Sequence, residues 1–408
     1  MWSCPNCGSW IFASRICPNC GAWVGDDSAD EQDSDHPVEL AIMGDTLLSC
    51  SGREAKVVVP AGVKELEEYS FYNDTALQEI ELPEDLTIIL KGAFQECTAL
   101  QEIRLPDKLK RLGRAAFYGC SALRKIEIPA SVKQIDTETF RDCTALRVIE
   151  LSEGLEIIGG YVFKGCNALE KIVIPASVKQ IELEAFQDCT ALQEIRLPDG
   201  LKEIGSDAFS GCRSLRQITV PVGVKCIETA VFRSCRALQE VHLPEGLEQI
   251  GMFAFEDCDT LTRIVLPASL KRLCRGAFEN CTSLLEAQLP DGLEELQDDA
   301  FEYCRSLQKV TIPAQVRQIE RAAFYYCQSL QEVQLPEELN EIGEDAFAHC
   351  WALKRIVIPA GVEKVGEHAF WECYSLQNIA VLSDDTEIAE DAFEDCPGTV
   401  KRGTGSLF

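Results

Sequence analysis

The chain reads as a solenoid of the α/β type, mostly strand and loop, wound in 23-residue coils behind a small metal-binding module. Two observations carry this reading: three residue ladders in one register, and a doubled Cys-x-x-Cys motif near the N-terminus. Phe recurs from Phe71 to Phe393 at a spacing of 23 without a slip, in 15 of its 18 occurrences. Pro keeps the interval from Pro60 to Pro359, broken only at Ser152, and Cys keeps it from Cys97 to Cys396, with Asp74 where the first would fall. An unrelated core does not place three residue types in one fixed phase, whereas stacked structural repeats must.

One coil, residues 192–212, shows how each part follows from the residues. Ile195 and Leu197 alternate with Glu194 and Arg196, the period of a half-buried strand. Pro198 removes a backbone donor and ends the strand, and Gly200 takes the turn. Leu201 and Ile204 return inward. Ser206-Asp207 before Ala208-Phe209 is the pattern of an N-cap and predicts one short helical turn on the convex side. The apolar side chains of a coil can be covered only by its neighbours, so the ends need caps.

The motif Leu-x-x-Ile-x-Leu-Pro-x-x-Leu-x-x-Ile-Gly-x-x-Ala-Phe-x-x-Cys, as in Leu192 to Cys212, resembles the BspA-type leucine-rich repeat family over about residues 38–396. It departs from the common leucine-rich repeat, which has Asn or Cys shortly after the strand, by placing Cys after the Phe. The resemblance implies a leucine-rich-repeat solenoid of about 14–15 coils over residues 60–400, with a capping hairpin over 38–59. It also implies a second function class, a secreted or cell-surface adhesin that binds host proteins.

A 46-residue period lies over the first, from alternation of Pro-Ala or Pro-Val coils (Pro129, Pro175, Pro221) with acidic ones (Pro198-Asp199, Pro244-Glu245). On the exposed strand face the position four before Pro reads Glu240, Arg263, Glu286, Lys309, Glu332, Arg355 in successive coils. Strands ~4.8 Å apart would put each acid between bases. The expected result is a ladder of weak ion pairs that keeps like charges from stacking.

The 21 cysteines fall into three classes. Cys4, Cys7, Cys17 and Cys20 sit in two copies of Cys-Pro-Asn-Cys-Gly-x-Trp, and two such knuckles supply the four thiolates of a tetrahedral Zn²⁺ site. Residues 1–24 are therefore expected to form a short zinc ribbon folded by its metal, with iron as the alternative metal and two disulfides as the rival chemistry. Such a closed site leaves no position for catalysis. The 14 cysteines of the ladder read as small apolar core residues, since stacked coils project them in parallel and cannot pair them. Cys50, Cys226 and Cys274 lie off the ladder. Residues 25–37, with six acids, read as a flexible charged linker.

A net charge of −29 argues against nucleic acid and anionic membranes as partners and favours a protein with a basic patch. No apolar stretch is long enough to span a membrane and no secretory leader is visible, so the expectation is a cytoplasmic protein. The four histidines, His36, His242, His349 and His368, belong to no nucleophile or hydrolase motif. No catalytic or organic-cofactor residues are assigned. The function expected is non-catalytic: a protein–protein interaction scaffold with the ribbon as docking element.

Overall fold

A computed structural model describes residues 38–403, together with the two short strands Trp2–Ser3 and Trp10–Ile11. From 38 onward the chain winds through 15 coils, each contributing to three faces. The first face is a row of short parallel strands, such as Glu194–Arg196, with the middle side chain buried and its two neighbours outside. The second is a row of two-residue parallel strands that keeps one register from Leu66 through Ile89, Leu112, Ile135, Ile158 and Ile181 to Ile204. The third is a row of turns carrying the Phe and Cys ladders.

The coil interior is lined by apolar side chains. Leu192, Ile195, Leu197, Leu201, Ile204, Ala208, Phe209 and Cys212 are all buried, and their equivalents in successive coils merge into one continuous core. The Phe rings stack face to face along it, with centroids 5.0 Å apart at the closest pair and 5.8 Å at the widest. Offset stacking at this separation adds to the area each ring buries.

The short helical turn expected at Ser206–Phe209 is absent, and no helix forms among the described residues. The amides show why. Ala208, Ser210 and Cys212 donate to the carbonyls of Gly205, Asp207 and Phe209, three residues back. The alternate amides of Asp207, Phe209 and Gly211 donate instead to Thr229, Val231 and Arg233 of the next coil. A helix would need every one of these donors for itself. The alternation holds because Asp207 and Gly211 adopt left-handed backbone, φ 54° and 73°, which turns successive peptides to opposite sides. Asp207 is therefore a turn residue rather than a cap.

The N-terminal end is closed by an antiparallel hairpin, Glu39–Met43 with Thr46–Ser51, whose second strand then pairs in parallel with Glu65–Leu66. Lys56–Val58 lies outside that hairpin and starts the first face by pairing with Glu79–Glu81. At the other end Thr399–Arg402 adds a last strand beside Asn378–Val381.

Candidate interaction surface

The first strand face carries the charge alternation in the register its sequence requires. Arg263 lies across from Glu286, and Lys309 from both Glu286 and Glu332. Arg263 approaches Glu286 to 3.2 Å, Lys309 approaches Glu332 to 3.4 Å, and Arg355 reaches the same Glu332 at 3.6 Å. These side chains are open to water, so each pair contributes under about 1 kcal/mol and chiefly fixes which charges are neighbours.

The cysteine ladder lies beneath the turn face. Each of its 14 thiols, Cys97 through Cys396, donates to the carbonyl of the Phe 26 residues earlier, in the preceding coil. Burial pushes the thiols of the interior coils, such as Cys189 and Cys212, well above their ordinary pKa. They are packing and hydrogen-bonding groups with no nucleophilic character. Cys274 is buried as well, and Cys226 is half-buried with its pKa raised to about 12, first by burial and then by Glu228.

The turn face itself is where the coils stop resembling one another. The column that follows the Phe lines the turn face, and in the later coils it reads Glu256, Glu279, Glu302, Tyr325, a buried Ala348, and Trp371. The column one further on reads Asp257, Asn280, Tyr303, Tyr326, His349, Glu372. The rings form a connected cluster. Tyr303 meets Tyr325 at 5.7 Å and Tyr326 at 5.2 Å, His349 stacks on Tyr326 at 4.1 Å, and Trp371 meets His349 at 4.7 Å. Trp351 and Tyr374 extend it outward and are 38% and 53% exposed, a large aromatic area left facing water.

Directly before these rings stand stacked carboxylates. Arg233 holds Glu256 at 2.8 Å, but among the described residues no cation lies within 4.0 Å of Glu279 or Glu302. Both are part-buried, and both are raised to about 7. Burial is the main cause, with Glu256 and Asp299 adding for Glu279, and Asp299 and Glu279 for Glu302. Asp299, 3% exposed, keeps Arg275 on one oxygen at 3.0 Å, while its other oxygen has no hydrogen-bond partner and Arg321 stands 3.9 Å away.

The metal ligands expected from sequence, Cys4, Cys7, Cys17 and Cys20, lie outside the described residues, as do His36 and the linker. Among the described residues before 38, Trp2 pairs with Ile11 and Ser3 with Trp10. Among the described residues no three His, Cys, Asp or Glu side chains converge as metal ligands, and no helix is long and apolar enough to cross a membrane. Of the three described histidines, His242 is exposed beside Glu240, while His349, buried 3.0 Å from Glu372, and His368, 3.4 Å from Asp391, both pack against Trp371. The aromatic and carboxylate columns escaped the sequence reading, which followed the strand columns. Reading every 23rd residue from Glu256 and from Tyr303 would have found them.

Known structures give the same architecture. A leucine-rich repeat protein from Bacteroides ovatus is 29% identical, with a TM-score of 0.73 over 90% of this chain and 93% of that one. A leucine rich cell surface protein from Faecalibacterium prausnitzii is 28% identical, with a TM-score of 0.50 over 76% of this chain and 96% of that one. Among curated proteins none matches. The BspA type leucine rich repeat region matches at residues 64–192, 156–285 and 273–400, in 6 copies. The chain therefore belongs to the BspA-type leucine-rich-repeat family.

Proposed function

We propose that the chain is a non-catalytic protein-interaction scaffold of the cell interior, attached to a second component through an N-terminal ribbon in which Cys4, Cys7, Cys17 and Cys20 hold one structural Zn²⁺. The observation that carries the scaffold reading is the length of uniform exposed surface. Coils stacked ~4.8 Å apart give each strand face a run on the order of 70 Å, with solvated charges in fixed columns. Extended solenoid surfaces of this kind suit protein partners, and the acidity suits partners with basic patches. A ladder of parallel, unpaired thiols suits a reducing compartment.

Cross-linking in the native host, read by mass spectrometry, tests this. Recurrent links from the solenoid to one other protein are expected, and links to none would overturn the reading. A surface adhesin is the second reading, favoured by the 28% identity to a leucine rich cell surface protein. Cell fractionation separates the two. Recovery of the native chain with the outer surface would replace the scaffold by the adhesin.

A further inference from the structure

The turn face of the earlier coils shows how this chain accommodates a cation among rings and acids. Arg141, in the column that later holds Glu279 and Glu302, sits 5.6 Å from the ring of Tyr118 and 5.9 Å from that of Tyr161. Its guanidinium meets Glu138 at 3.0 Å and Asp142 at 3.5 Å. Lys164, next in the column, lies 5.4 Å over Tyr161 and 2.6 Å from Glu184. Here rings, carboxylates and cations all come from the chain itself.

From Glu256 onward the rings and carboxylates remain while the column's cations are gone. Glu256, Glu279 and Glu302 replace Arg and Lys, and Tyr325 and Trp371 continue the column. Glu302 directly precedes Tyr303, whose ring lies 5.7 Å from that of Tyr325 and 5.2 Å from that of Tyr326, so acids and rings form one continuous stripe. Arg305 already lies over the Tyr303 ring at 5.7 Å, and Arg275 is taken up by Asp299. Glu279 and Glu302 are left crowded, with no cation within 4.0 Å among the described residues and only Arg275 and Arg321 acting on them from further off. Carboxylates set directly beside aromatic rings suit a planar organic cation better than a metal ion. Guanidinium groups can meet carboxylates edge-on and rings face-on at once.

We propose that the stripe from Glu256 to Tyr374 on the turn face is the docking site for a partner segment bearing arginine side chains, which sit beside Glu279 and Glu302 and over Tyr325. This rests on the scaffold reading and names where and to what it binds. The segment lies along the turn face, across the coils, and supplies from outside what Arg141 supplies from within.

The test uses the full chain and two capped synthetic peptides, one of alternating arginine and glycine and one of alternating lysine and glycine, measured by calorimetry at two salt concentrations. The arginine peptide is expected to bind at least tenfold more tightly than the lysine peptide. Glu279→Gln with Glu302→Gln should weaken it at least tenfold. At pH 8, where Glu279 and Glu302 are largely ionised, Glu245→Gln with Asp291→Asn removes about the same charge from exposed turns elsewhere and should change it less than twofold. Tyr325→Leu should erase the preference for arginine. Equal losses in the two double variants, or no preference between peptides, would overturn the site as mere attraction to an acidic surface. Cross-links in the host that map to the strand faces alone would overturn this site and leave the scaffold standing.

Discussion

The thiol of Cys212 donates to the carbonyl of Phe186 in the preceding coil at 3.2 Å, and the same carbonyl accepts the amide of Cys189. One residue thus serves as core filler and as a tie between coils. If the tie matters, Cys212→Ser should be no worse than Cys212→Ala, because the hydroxyl keeps a partner. Each should cost about 1–2 kcal/mol. Urea unfolding of the two variants decides it: a serine variant much weaker than the alanine one would reduce the thiol to an apolar plug.

Phe209 lies between Phe186 and Phe232, 5.3 Å and 5.7 Å away, and is fully buried. Phe209→Ala should destabilise by about 3–5 kcal/mol, since fixed coils on both sides cannot collapse into the space. Thermal melting should show it, and an unchanged transition would mean the stack contributes little.

Gly205 touches its neighbouring coil at the backbone. A Cβ there would lie 2.5 Å from the nitrogen of Leu183 and 2.6 Å from the carbonyl carbon of Glu182. Backbone atoms cannot swing away like a side chain, so Gly205→Ala should push two coils apart and cost about 1–3 kcal/mol. A melting temperature equal to that of the parent would contradict the contact.

Glu279 and Glu302 give the chain an inverse acid response. Both are raised from 4.5 to about 7, so the folded state binds their protons more tightly than the unfolded state. Their contribution is greatest below about pH 4.5 and is lost as the pH rises through 7. The Glu279→Gln/Glu302→Gln variant should therefore melt higher than the parent at pH 8 and alike at pH 4. Equal melting at both values would remove the repulsion from the account.

Metal and thiol counts on natively purified protein address the ribbon. The expected result is one zinc per chain and, after denaturation with zinc still bound, 17 reactive thiols, the 21 cysteines less four ligands. Without denaturant the ladder should hardly react, because burial holds thiols such as Cys212 protonated. No zinc together with few free thiols would point to disulfides and an oxidising compartment.

Sequence periodicity was enough for the coil, its strands and its core, because Ile195, Phe209 and Cys212 recur wherever the interior demands the same volume. It misread the turn. Ser206-Asp207 carries the local pattern of a cap, but the next coil competes for the amides of Asp207 and Phe209, and no single-coil propensity reveals that. The thiol hydrogen bond was hidden for the same reason, since its acceptor belongs to another coil. The aromatic cluster lay open in the columns and was passed over because Tyr303, Tyr326 and His349 share a position but not a residue type.

The alternation of amides in the turn has a mechanical side. The bonds from Asp207, Phe209 and Gly211 to the following coil run along the stack, as do the strand pairings. Pulled from its two ends, such a molecule loads one boundary's bonds together, and a coil that lets go releases 23 residues at once. At ~3.4 Å per extended residue, that is about 75–80 Å of slack. Force would then fall in regular teeth, one per coil, and the molecule would lengthen in steps while the coils still stacked kept their partners.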